Sequence, residues 1–224
     1  MNGQRETETL RKALRLFAGE EVLAQVEREG EAALAVRGES IRLSLLFLDV
    51  ASFTQPQPHL SGHDVQLWMN NYCETVSRAI ARSGGVLDTF IGDAASAWYG
   101  SRGEPKHEAL ACRGAAAILD AVDAQNQEGR AKGYPQLSVA IGIHSGVVLL
   151  GNFGSSTRLR YTAMGDNVNL ASRLCGMAMS HYHVPVVISE ETRKGLDGTF
   201  QVAQLDAVHV KGREGKMGLY RVAF

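Results

Sequence analysis

Leu45-Leu46-Phe47-Leu48-Asp49 reads as an apolar strand ending on a carboxylate, and Phe90-Ile91-Gly92-Asp93-Ala94 sets a second carboxylate in a turn. A carboxylate beside such apolar stretches is costly to desolvate unless a cation meets it. Two of them, converging, make a hard, oxygen-rich site suited to Mg²⁺ or Mn²⁺. Paired divalent ions held in this way drive in-line displacement at phosphorus.

Outward from Asp49, a strand is predicted over about 41–50, and Pro56 and Pro58 break the chain after it. Ser61 with Asp64 three residues later has the form of a capping box. The helix it opens carries Val65, Trp68, Met69, Tyr72, Cys73, Val76 and Ile80 on one face, and Ser83-Gly84-Gly85 ends it. Residues 86–99 read as a hairpin with Gly92 at the first central position of a type II′ turn. A second helix is predicted over about 107–127, a β-rich run from Leu137 to Leu150, and a loop over Gly151–Ser156. A third helix runs from near Asp166 to about Met179. Short strands at 185–188, 200–210 and 217–223, with a small helix from Ser189, complete the pattern. Helices and strands mix without regular βαβ alternation, so the fold class is α+β, with helices on one face of a largely antiparallel sheet. Ahead of it, residues 6–29 form a charged helical preface in which Leu10, Leu14 and Phe17, then Val22, Leu23 and Val26 after Gly19, repeat at helical spacing. The stripe is too short for a coiled-coil seam, which favours packing on the domain over a dimer connector.

Composition excludes several classes. The chain has 224 residues, 45% apolar and 21% charged, enough for one large or two small domains. A net charge of −1 gives no basic field, so nucleic acid is not the expected partner. No apolar run reaches membrane-span length and the start lacks a signal-peptide core, so no membrane contact by this chain is expected. Cys73, Cys112 and Cys175 are odd in number and far apart, which fits buried thiols in a reducing compartment. The expected location is the cytoplasm, or the cytoplasmic side of a membrane if the chain belongs to a longer receptor.

Asn169 and Arg173 stand four apart in the third main helix and share a face. A guanidinium beside an amide can grip a phosphoryl group and orient a sugar. Taken alone, such a pair is usually solvated surface.

Five stretches in order change that weighting: Leu46-Phe47-Leu48-Asp49-Val50-Ala51-Ser52-Phe53-Thr54, Phe90-Ile91-Gly92-Asp93, Gly142-Ile143-His144-Ser145-Gly146, the run from Tyr161 to Arg173, and Val210-Lys211-Gly212. Together they resemble the catalytic domain of class III nucleotidyl cyclases of bacterial type, the adenylate and guanylate cyclase family. The resemblance implies a ferredoxin-like (βαββαβ) core sheet with extra C-terminal strands. It places the catalytic domain at 41–224 and leaves 1–40 as a helical lead-in or connector, with room for an upstream sensor. It implies two Mg²⁺ or Mn²⁺ per site, held by Asp49, Asp93 and the Val50 carbonyl. Asn169 and Arg173 match the pair supplied by the opposite subunit, Asn for the ribose and Arg for the transition state, so the implied assembly is a homodimer. Phe53, Thr54, Lys211 and Arg158 fall at nucleotide- or phosphate-binding places. The implied reaction is attack of the ribose 3′-hydroxyl on the α-phosphorus of a nucleoside triphosphate, with loss of pyrophosphate.

The base-reading positions depart from the family pattern. Adenylate cyclases of the family usually carry a lysine four residues before the second metal aspartate, where this chain has Thr89. The second position matches Thr162, common among bacterial adenylate cyclases, and the Glu and Cys usual in guanylate cyclases are absent. ATP is therefore the first choice of substrate, GTP the second, and a pyrimidine triphosphate stays open. A weakly active nucleotide-binding homologue and a polymerase-palm relative are the competing readings. His144 reads as a satisfied strand histidine, and strand alternation turns Asp88 away from Thr89 into solvent.

Overall fold

Strand β1 (Gly38–Val50) presents apolar side chains to both faces of a sheet: Leu46, Leu48 and Val50 enter one hydrophobic cluster, and Phe47 packs against another. The computed structural model describes residues 2–51, 60–209 and 215–224. Before β1 lie helices α1 (Asn2–Ala18) and α2 (Glu20–Glu29), separated by Gly19 at φ 94°. After it come α3 (Gly62–Arg82), β2 (Val86–Ile91), β3 (Ala94–Tyr99), α4 (His107–Arg130) and β4 (Val139–Ser155). Next are β5 (Arg158–Met164), α5 (Asp166–Met177), β6 (Val186–Ser189) and α6 (Glu190–Lys194). Strands β7 (Gln201–Gln204), β8 (Val208–His209), β9 (Lys216–Met217) and β10 (Leu219–Ala223) finish the described chain.

The strand order is β2-β3-β1-β4-β6-β10-β7, and its first four members are those of a βαββαβ ferredoxin-like unit. β3 pairs antiparallel with both β1 and β2, β10 pairs antiparallel with β6 and β7, and β4 with β6 is parallel. The largely antiparallel sheet and the added C-terminal strands are as the sequence suggested. Among the described residues no helix is long and apolar enough to cross a membrane.

Helix α3 begins at the predicted capping box: the Ser61 hydroxyl accepts from the Asp64 N–H at 3.2 Å, and the Asp64 carboxylate accepts from the Ser61 N–H at 2.9 Å. Its apolar face (Trp68, Tyr72, Val76, Ile80) and that of α4 (Cys112, Ala115, Ile118, Val122) cover one side of the sheet. Full burial of a large apolar side chain contributes about 1.5–3 kcal/mol, so this cluster is the main source of stability.

Three expectations need correction. Helix α5 does not join α3 and α4: Leu170, Leu174 and Cys175 pack with Ala140, Val187 and Leu219 in the second cluster, whereas Ile141, Val186 and Ile188 belong to the first. Alternation along β4 and β6 thus places α5 on the opposite face. Gly142 makes the approach possible, since a Cβ there would lie 2.1 Å from the Cys175 nitrogen and 2.5 Å from the Ala171 oxygen. Second, Gly151–Ser156 is not a loop. β4 runs on to Ser155 and pairs with β5, Leu149 facing Met164 and Asn152 facing Tyr161. Gly151 reads as a loop former, yet here it lets the Arg37 backbone come close. The Asn152 side-chain amide donates to the Ala33 and Ala35 carbonyls at 2.8 and 2.9 Å. Third, the β2–β3 register shifts between Leu87 and Thr89, a β-bulge at Asp88. Simple alternation fails there, and the Asp88 carboxylate accepts from the Ser96 hydroxyl at 3.0 Å instead of lying in solvent.

The chain forms two compact units, Met1–Ile41 with Val148–Gly165, and Arg42–Val147 with Asp166–Phe224. In the first unit Leu23 is buried, while Leu10 and Phe17 of the predicted stripe are exposed, Phe17 at 92%.

Candidate active site

The second unit carries both Asp49 and Asp93. Asp49 follows Leu48, which pairs with Ala95 on β3. Asp93 sits in the two-residue connection closed by the Ile91–Ala94 pair, and Gly92 takes φ 67°, the sign a type II′ turn requires at its first central position. The Tyr72 hydroxyl of α3 donates to the Asp93 carbonyl at 3.0 Å and ties this turn to the helix layer. Burial pushes the Tyr72 phenol upward, with smaller contributions from Cys73 and from the charges of Asp93 and Asp49.

Burial holds the Asp49 carboxyl above its ordinary range, and the charge of Asp93 adds to the effect, while a hydrogen bond from the Val50 N–H acts the opposite way. A half-buried carboxylate whose ionised form is disfavoured by burial and by a neighbouring negative charge is a place where a cation is welcome. Cys175 lies near the same centre. Its thiol donates to the Ala140 carbonyl at 3.2 Å, and burial, then the Asp49 charge, pushes it up to about 12. It is therefore a packed apolar thiol rather than a ligand. Among the described residues no three His, Cys, Asp or Glu side chains gather into a metal cage. Two carboxylates with backbone oxygen suit Mg²⁺ or Mn²⁺, which complete their shells with water and substrate phosphates.

Asn169 and Arg173 both lie on the exposed face of α5, opposite buried Leu170, Ala171, Leu174 and Cys175. Thr89 is half-buried on β2, and its hydroxyl donates to the Phe90 carbonyl at 3.1 Å. Thr162 is buried and Arg158 exposed on β5, in the other compact unit. Phe53, Thr54 and Lys211 lie outside the described residues. His144 is fully buried between Ser189 and Asn167, as the satisfied-histidine reading expected. Sequence reasoning missed two long-range contacts beside these residues, that of Asn167 with His144 and that of Tyr72 with the Asp93 turn. The apolar stripe of α5 runs through 170, 171 and 174, and a polar residue at 167 in that phase was the available signal.

The profile of the family described as "Adenylate and Guanylate cyclase catalytic domain" matches residues 36–223. "Adenylate cyclase 1" of Rhizobium meliloti is 32% identical over 181 residues, which are 80% of this chain and 27% of that protein. The chain thus spans about a quarter of the length of this curated relative. The crystal structure of the adenylyl cyclase CyaB from P. aeruginosa superposes with a TM-score of 0.76 at 28% identity, covering 84% of this chain and 97% of that one. A solved guanylyl cyclase superposes with a TM-score of 0.74 at 26% identity, covering 84% and 94%.

Proposed function

Because the chain belongs to the adenylate and guanylate cyclase catalytic-domain family, we propose that it converts a nucleoside triphosphate, ATP first, to the 3′,5′-cyclic monophosphate and pyrophosphate as a homodimer. What supports this reading most is the strand pairing that brings the end of β1, where Asp49 follows Leu48, beside the β2–β3 turn that carries Asp93, since Leu48 pairs with Ala95 just past that turn; the charge of Asp93 adds to burial in raising the proton affinity of Asp49.

In this proposal Asp49, Asp93 and the Val50 carbonyl hold the divalent cations. When bound, the ions supply Lewis acidity toward the triphosphate and the ribose hydroxyl. Tyr72 keeps the Asp93 turn in place for that task. Asn169 orients the ribose so that its 3′-oxygen faces the α-phosphorus. Arg173 stabilises the charge that grows on the α-phosphoryl oxygens, a role its fixed positive charge and fork of donors suit. The exposed Asn/Arg face of α5 suits a residue pair offered to a second copy of the chain. Phe53, Thr54, Lys211 and Arg158 are proposed to contact nucleotide or phosphate, and Thr89 and Thr162 to read the base.

The structural relatives do not separate the substrates, since adenylyl and guanylyl cyclases superpose almost equally well. Thr162 supports ATP, and Thr89 keeps GTP and a pyrimidine triphosphate as alternatives. Thr89 also favours a second reading, a weakly active nucleotide-binding homologue. One assay decides. The purified chain is incubated with each of the four nucleoside triphosphates and Mn²⁺, beside Asp93→Ala, and products are resolved by chromatography. A cyclic product lost in the variant supports the cyclase. Nucleotide binding without any product supports the second reading and sinks the first.

A further inference from the structure

His144, fully buried, and Asn167, half-buried, are polar groups that the reaction itself does not use, and they meet at the start of α5. The Asn167 amide nitrogen donates to the Val147 carbonyl at 2.7 Å, and its oxygen lies 2.9 Å from His144 Nε2. A carbonyl can only accept, so the Val147 contact fixes which end of the amide is which. The Asn167 oxygen must then accept from His144, and Nε2 carries the proton. His144 Nδ1 faces the Ser189 hydroxyl at 2.8 Å. Ser189 is itself held by the Thr192 N–H at 3.2 Å. Gly146 leaves room for this arrangement: a Cβ there would stand 2.5 Å from the Asn167 amide nitrogen.

Asn167 also begins the inward face of α5, in phase with buried Leu170, Ala171 and Leu174. At the place where an apolar residue would only pack, the chain has a directional bolt. Apolar packing tolerates sliding and rotation of a helix, whereas a pair of oriented hydrogen bonds, one of them to a fully buried histidine, resists both. Asn169 and Arg173 leave the same helix on its outer face.

We propose that His144 is a positioning residue which, through Asn167, sets the rotation and height of the first turn of α5 and so the presentation of Asn169 and Arg173. This rests on the reading of those two residues as the ribose- and phosphate-facing pair. The bolt is a different object from the metal half of the site, and it is separable by experiment.

Four variants test it: His144→Leu, His144→Gln, Asn167→Ala and Gly146→Ala. For His144→Leu, Asn167→Ala and Gly146→Ala, kcat should fall about ten- to a hundredfold, the scale of a misplaced catalytic group, with a much smaller change in KM. Amide hydrogen exchange over residues 167–173 should quicken. The rise in Tm produced by Mn²⁺ should persist, because Asp49 and Asp93 are untouched. His144→Gln, whose amide can donate in place of Nε2–H, should restore most of kcat and of the exchange protection. If His144→Leu does not fold, Asn167→Ala and Gly146→Ala carry the same readouts. Folded variants with wild-type kcat and unchanged exchange in α5 would overturn the proposal, as would loss in His144→Gln equal to that in His144→Leu. If the wild-type chain makes no cyclic product, the reading of its function falls, and α5 exchange alone then decides whether the bolt exists.

Discussion

Asp49, already disfavoured as an anion by burial, is made a weaker acid still by the charge of Asp93. The pair therefore burdens the metal-free fold, and its presence points to a ligand that relieves the repulsion.

The sign of the pH effect follows. The folded-state pKa of Asp49 is raised from 3.8, so between that value and the raised one the native chain binds more protons than the unfolded chain. Stability of the metal-free protein should fall as pH rises through that window and stay low above it. Thermal unfolding between about pH 4 and pH 8 should show this slope, and Mn²⁺ should diminish it. Asp93→Asn should lessen the slope without metal, leaving the larger part that burial of Asp49 produces, and should remove most of the Mn²⁺ response. An unaltered Mn²⁺ response in Asp93→Asn would refute the shared site.

Sites that take their metal half from one chain and their Asn/Arg half from another can be complemented. Asp93→Ala and Arg173→Ala should each be inactive alone. Mixed in equal amounts and allowed to exchange, half the dimers are heterodimers with one intact site, so activity should recover to about a quarter of wild type. No recovery, with exchange of subunits demonstrated, would place both halves within one chain.

Thr89 gives its hydroxyl proton to the Phe90 carbonyl, so toward a base it offers only acceptors. Thr89→Lys restores a charged donor on a half-buried strand position. If the pocket is otherwise of adenylate type, kcat/KM for ATP should rise about tenfold, the scale of one hydrogen bond to a charged group. Steady-state kinetics with ATP and GTP measure this, and unchanged values for both would remove Thr89 from base reading.

Gly142 separates β4 from the backbone of α5, and backbone cannot retreat as a flexible side-chain tip can. Gly142→Ala should therefore cost about 1–3 kcal/mol or more in urea unfolding. Ser61→Ala, which removes one arm of the α3 capping box, should cost only about 1 kcal/mol. Equal costs would mean that α5 is less tightly seated than its contacts indicate.

Much of this protein was decided locally and could be read from residue order. The capping box at Ser61 and Asp64, the apolar face of α3, the type II′ turn at Gly92 and the shared face of Asn169 and Arg173 depend on neighbours within about one helical turn or one hairpin. Backbone sterics and short-range hydrogen bonds suffice to specify them. The side of the sheet taken by α5, the bulge at Asp88, the extension of β4 through Gly151 and the bolt between His144 and Asn167 depend on partners far away in sequence. Gly142 and Gly151 look like weak points in a strand until a helix backbone and the Arg37 carbonyl arrive beside them. Only the folded chain could decide those features, because what selects them is the close approach of one backbone to another.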